Sequence, residues 1–166
     1  IFQIVLEKTV LQMTKLLKDD LSAFRVIQDG FYSEKSLFSE GRIEEACEII
    51  EKNGDAYKKD GALWLESTKY GDDKDRVVIR EDGRSTYFAS DIAYHHHKKV
   101  RGFDLLINVL GSDHHGYVSR LKAGLASTGN KASDLEVILM QFVTLYRGKK
   151  KIQMSTRSGN FVPMRD

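Results

Sequence analysis

The sequence predicts an α/β fold on three observations. Hydrophobic spacing changes along the chain, from a helical period up to about residue 54, through short strand-like runs, to an alternation of helix and strand from Asp91 onward. The run "LLINVL", residues 105–110, is apolar on both faces, as a strand covered by helices must be. Strand, helix and strand then follow at a length that makes a right-handed parallel crossover.

The elements follow in order. From Phe2 to Leu17, apolar residues at Phe2, Val5, Leu6, Val10, Met13, Leu16 and Leu17 predict a helix with one buried face, broken by "KDDLSAF". In "RIEEACEIIEKNG" the stripe Ile43, Ala46, Cys47 and Ile50 predicts a second helix, with Gly54 as its left-handed stop. "ALWLEST" and "RVVIR", separated by "KYGDDKD", then "EDGR" leading into "STYFA", predict two linked antiparallel hairpins. A helix from Asp91 to about Val100, the strand "DLLINVLG", a helix from about Tyr117 to Leu125, the strand "LEVILMQFV" and a basic loop complete the pattern. No internal repeat or low-complexity segment is present.

At 166 residues, 41% hydrophobic and 30% charged, the chain has the composition of a soluble globular protein with a real core. The formal charge is +2, which says nothing alone about nucleic acid; the cations cluster at Lys98, Lys99 and Arg101, and from Arg147 to Lys151. One cysteine, Cys47, cannot form an internal disulfide, which fits a reducing, cytoplasmic setting. No apolar run reaches membrane-spanning length, so no membrane partner is expected. The chain opens on Ile1, already inside an amphipathic pattern, and reads as a piece of a longer protein.

Four stretches carry chemistry. "VLGSDHHGY" follows the most apolar strand, where ligands of open parallel sheets bind, and Gly111 would let a ligand approach the backbone. Asp113, His114 and His115 suit a polar ligand; alternatively Asp113 caps the next helix. No metal site is expected, because adjacent residues diverge and no third ligand cluster with the usual spacing appears. "YHHHKK" cannot converge on one ion, since successive helical residues are about 100° apart; a partly solvated helix face is expected. In "STYFASD", Tyr87 and Asp91 stand one helical turn apart, a phenol and an acid suited to a cation; equally, they read as a core Tyr and a capping Asp. Finally, "RGKKKIQMSTRSGNFVP" combines small residues with Lys149, Lys150, Lys151 and Arg157, suited to a phosphate chain, although it is not a Gly-x-x-x-x-Gly-Lys loop.

Together, "DGALWLES", "YGDDKDRVVIREDGRSTYFASDIAYH", "RGFDLLINVLGSDHHGYVSRLKA", "LEVILMQFV" and "QMSTRSGNFV" resemble the arginyl-tRNA synthetases, class I enzymes, in that family's order and spacing. The resemblance implies the second half of a class I Rossmann-type nucleotide-binding sheet, with an antiparallel hairpin insertion and a helical lead-in. It divides the chain into residues 1–60 (helical lead-in and insertion), 61–90 (hairpins of the insertion) and 91–166 (second half of the catalytic domain). "QMSTRSGN" takes the place of the signature Lys-Met-Ser-Lys loop, so Met154, Ser155, Thr156 and Arg157 are implied to be catalytic. Gly111, Asp113, His115, Gln153 and Ser155 are implied to hold ATP, and Tyr87, Asp91 and His114 to hold arginine. Both signature lysines are replaced, by Gln153 and Thr156, leaving the phosphate charge to Arg157, to the Lys149–Lys151 run or to a residue outside the chain.

The implied reaction activates arginine with ATP, accompanied by magnesium and without a protein-bound metal, and transfers it to tRNA(Arg). No His-Ile-Gly-His motif occurs, so the chain is expected to have little or no activation activity alone. The alternative is a non-catalytic fragment with residual ligand or tRNA binding, weakened steeply by salt.

Overall fold

The computed structural model describes residues 2–152 together with Met154, Gly159, Val162 and Pro163. The chain divides into two units, residues 32–142 and residues 1–31 with 143–166.

In the second unit, helix α1 runs Phe2–Ala23. It passes through "KDD", which contains no helix breaker, and stops where Arg25 takes a left-handed φ of 63° and Val26 N–H bonds back to the Leu21 carbonyl at 2.8 Å. The expected buried face is absent: Phe2, Val5, Leu6, Val10, Met13, Leu16 and Leu17 are all exposed. The expected basic loop contains a tight antiparallel hairpin, Tyr146–Arg147 against Lys150–Lys151, turning at Gly148 (φ 62°).

In residues 32–142, α2 (Glu34–Ser39) and α3 (Arg42–Lys52) come first. The whole predicted stripe of α3, Ile43, Ala46, Cys47 and Ile50, is buried. Gly54 ends the helix at φ 73°, with Asp55 N–H reaching the Ile50 carbonyl at 2.9 Å.

A three-stranded antiparallel sheet follows, ordered β1 (Ala56–Lys59), β2 (Ala62–Leu65), β3 (Arg76–Ile79). Its first hairpin, unexpected from the sequence, turns on Asp60-Gly61, both left-handed (φ 50° and 74°), as a two-residue turn matched to strand twist requires. The expected second hairpin reduces to one bridge between Ile79 and Ser85. "STYFA" is not a strand, because Thr86 caps a helix there, and α4 spans Tyr87–Val100 with Phe88, Ala89, Ile92 and Ala93 buried at helical spacing.

Strand β4 (Leu106–Gly111) pairs in parallel with β5 (Leu135–Met140), Leu106 opposite Leu135 and Gly111 opposite Met140. Between them lie a 3-10 turn (Ser112–Tyr117) and α5 (Val118–Ser127). Leu106, Leu121, Leu125 and Leu135 form one core cluster. The other face of the strand pair carries Ile107, Val109, Ile138 and Met140 exposed, so "LLINVL" is covered on one side, not both. A larger cluster joins α3, β2, β3 and α4 through Ile50, Leu65, Val78 and Ile92. Gly124 permits the close approach of α5 to α4: a Cβ there would stand 2.9 Å from Ile92 Cγ1 and 3.1 Å from the Phe88 ring.

Candidate functional site

Thr86 sets the frame. Its Oγ1 lies 3.0 and 3.1 Å from the Val77 and Val78 carbonyl oxygens and accepts from Ala89 N–H, tying the start of α4 to β3. Tyr87 is then the first helical residue, 82% exposed, and lines a cleft of about 910 Å3 walled by α3 and by β2 and β3. Asp91, one turn on, lines a separate pocket of about 260 Å3 with Tyr32, Glu34, Leu37, Ser90 and Tyr94. Tyr87 and Asp91 are therefore on one helix, as expected, but line neighbouring cavities.

The small pocket holds two carboxylates, Glu34 and Asp91, among aromatic rings. Tyr32 and Tyr94 pack with centroids 4.7 Å apart, and the buried Tyr32 hydroxyl has no hydrogen-bond partner among the described residues. Lys98 lies over the Tyr94 face at 4.2 Å, its ammonium pushed down in pKa by burial. Acids beside aromatic faces suit a delocalised cation.

Asp91 accepts a hydrogen bond at Oδ2 from the Tyr117 hydroxyl. Burial, then the adjacent Asp91 carboxylate, pushes the Tyr117 phenol well above its ordinary range, so it remains a donor. Nothing in the sequence reading singled out Tyr117, Glu34, Tyr32 or Tyr94. Tyr117 closes the quoted "GSDHHGY" stretch, and its distance in sequence from Asp91 hid the contact.

One of the three histidines fastens this helix to the parallel strands. His95, 3% exposed, accepts at Nε2 from Asn108 Nδ2 (2.8 Å) and gives its Nδ1 hydrogen to the Asp91 carbonyl (2.7 Å). The expected solvated face is thus wrong for His95, and burial lowers its pKa. Among the described residues, no group of three or more His, Cys, Asp or Glu is arranged to hold a metal ion.

Beyond β4, Asp113, His114 and His115 are exposed, at the carboxyl end of the parallel pair. His114 Nε2 is 3.8 Å from Asp113 Oδ2, and its ring meets Tyr117 edge-on at 6.4 Å. At Gly111 the space of a Cβ is taken by Asp113 Oδ1, 2.5 Å away, so the glycine accommodates that carboxylate. Asp113 makes no capping bond to the turn or to α5. Met154 is exposed; Gln153, Ser155, Thr156 and Arg157 lie outside the described residues.

The profile of the family described as tRNA synthetases class I (R), catalytic domain, matches residues 6–166. The chain belongs to that family. A protein of Legionella pneumophila (strain Corby) named arginine–tRNA ligase is 51% identical over 150 residues, 90% of this chain and 26% of that protein. One of the same name from Psychrobacter cryohalolentis is 55% identical over 150 residues, 24% of its length. A crystal structure from Campylobacter jejuni, assigned as an arginyl-tRNA synthetase, superimposes with a TM-score of 0.84 at 39% identity, over 92% of this chain and 33% of that one. This chain thus spans about a quarter of the length of the curated relatives it matches. The α/β architecture, with its parallel pair and antiparallel insertion, is the class I Rossmann-type arrangement of the family. Among the described residues, no helix is long and apolar enough to cross a membrane.

Proposed function

We propose that this chain is the part of an arginine–tRNA ligase that receives the amino-acid side chain and one flank of the nucleotide. The observation that carries the reading is the small pocket, where the Asp91 and Glu34 carboxylates stand among Tyr32 and Tyr94. A guanidinium entering it meets negative charge and aromatic faces, and a neutral side chain of similar length meets only the cost of two unpaired acids.

The parent enzyme activates arginine by attack of its carboxylate on the α-phosphorus of ATP, forming arginyl-adenylate and releasing pyrophosphate, with magnesium accompanying the nucleotide. The arginyl group then passes to the terminal ribose of tRNA(Arg), and adenosine monophosphate leaves. No covalent enzyme intermediate is needed, so positioning and charge stabilisation carry the rate. In this scheme Asp91, with Tyr87 and His114 nearby in sequence or site, serves the amino acid. Gly111, Asp113 and His115 at the strand end, with Gln153 and Ser155, serve the nucleotide. Met154, Ser155, Thr156 and Arg157 belong to the loop over the phosphates, and Arg157, the Lys149–Lys151 run or a residue outside the chain supplies the cation that the signature lysines give elsewhere. We place the activity in the cytoplasm, with the thiol of Cys47 reduced.

The test is pyrophosphate exchange by the full-length enzyme, with arginine and transfer RNA supplied. Glu34→Gln is expected to raise the arginine KM about tenfold while the ATP KM stays within twofold. An unchanged arginine KM would remove Glu34 from the pocket. The isolated chain is expected to show no exchange above background.

A further inference from the structure

Asp91 belongs to a polar chain that continues well past the pocket. Tyr117, at the end of the 3-10 turn, donates to Asp91 Oδ2. The Arg120 guanidinium, one turn into α5, lies over the Tyr117 ring at 4.7 Å. Arg120 Nε is buried without a hydrogen-bond partner among the described residues, and its nearest charge is Asp72 Oδ2 at 3.9 Å. Asp72 is fixed by Arg76, whose Nε and Nη2 reach its two oxygens at 2.7 and 2.9 Å. The chain of contacts therefore runs from the turn after β2, across α5, to the carboxylate in the pocket.

We infer that Tyr117 is a positioning residue for amino-acid selection: its hydroxyl occupies one oxygen of Asp91 and aims the other into the small pocket, while Arg120 holds the phenol in place. The inference deepens the pocket reading and rests on it. A half-buried aspartate with no fixed donor still samples several rotamers, and ordering it on binding costs affinity; a fixed donor removes that cost in advance. The donor must be neutral and permanent, because a second cation against Asp91 would compete with the ligand's own charge. A phenol meets both conditions, and the cation over its ring acts through the π face without touching the carboxylate. Tyr87, 82% exposed in the neighbouring cleft, is not placed to perform this task.

The experiment uses the full-length enzyme and pyrophosphate exchange. Tyr117→Phe keeps the ring and deletes only the donor. The expected result is an arginine KM raised about tenfold, with kcat lowered less than threefold and the ATP KM within twofold. Asp91→Asn is measured alongside it, and the double variant is expected to be no worse than Asp91→Asn alone, since the hydroxyl acts only through that carboxylate. If Tyr117→Phe is poorly folded by circular dichroism, Arg120→Gln replaces it, with an arginine KM expected to rise about threefold. An arginine KM that stays within twofold while Asp91→Asn is strongly impaired overturns the positioning role and leaves the pocket standing. Equal losses on arginine, ATP and kcat, or effects that multiply in the double variant, also overturn it. An unimpaired Asp91→Asn overturns the pocket itself.

Discussion

Asn108 on β4 donates from Nδ2 to Nε2 of His95 on α4 at 2.8 Å, and this bond fixes the ring as the neutral Nδ1–H tautomer. Burial first, then the charge of Lys98, holds the His95 pKa below its ordinary value; the Asp91 carbonyl opposes this only partly. A folded pKa below the unfolded one means that the unfolded chain takes up the extra proton. Stability is therefore full above about pH 6.5 and is lost as pH falls from there through the folded pKa. Urea-unfolding midpoints between pH 7.5 and 5 should fall for the protein and fall less steeply for His95→Gln. Some slope remains, since burial also lowers the His96 pKa. Parallel curves for the two proteins would show that His95 is not the group responsible.

Asp72 should be the costliest carboxylate to remove from the insertion. Burial alone would raise its pKa, but the Arg76 guanidinium and the Asp73 N–H outweigh burial and hold it well below the usual carboxylate range. Ser67 donates to the same group at 3.1 Å. Asp72→Asn leaves the largely buried Arg76 with only the exposed Asp73 as counter-charge, and a loss of about 3 kcal/mol is expected in denaturant titration. A loss under about 1 kcal/mol would mean that Arg76 finds solvent or another partner.

Gly124 tests the packing of α5 on α4. In a free helix Gly→Ala is favourable by about 1 kcal/mol. Here the added methyl meets Ile92 Cγ1 at 2.9 Å, and overpacking of that kind costs about 1–3 kcal/mol. Gly124→Ala is expected to lower the melting temperature by several degrees; a rise would show that Ile92 and Phe88 yield easily.

Cys47 should be a slow thiol. Burial, then the charges of Glu51, Glu44 and Glu48, pushes its pKa up to about 11. Little thiolate exists at pH 8, so native labelling by iodoacetamide should lag labelling in urea by at least about a hundredfold. Comparable rates would show that α3 opens readily.

What the sequence revealed follows from where periodicity reports burial. The α3 stripe and the parallel pair were legible, because each buries a whole face in one core cluster. β1 was not: "AYKK" is a lysine-bearing edge strand, largely exposed, with no alternation to read. The start of α4 was misread because Thr, Tyr and Phe favour strands, and the Thr86 cap with its bonds to β3 overrides that preference. At the site, Tyr87 and Asp91 were read as a pair suited to a cation, and the bond that Asp91 accepts from Tyr117 was not foreseen. Tyr117 lies 26 residues on, and only the packing of the 3-10 turn against α4 brings the two together. Glu34 was hidden likewise: a glutamate at a helix start reads as a dipole partner until a pocket opens beside it.

Whether the Asp91 carboxylate holds the positive side chain of the amino acid is decided by calorimetric titration of arginine into full-length wild type and Asp91→Asn. An affinity at least about thirtyfold weaker is expected in the variant, with ATP binding within twofold of wild type. Equal arginine affinity in the two proteins would contradict it.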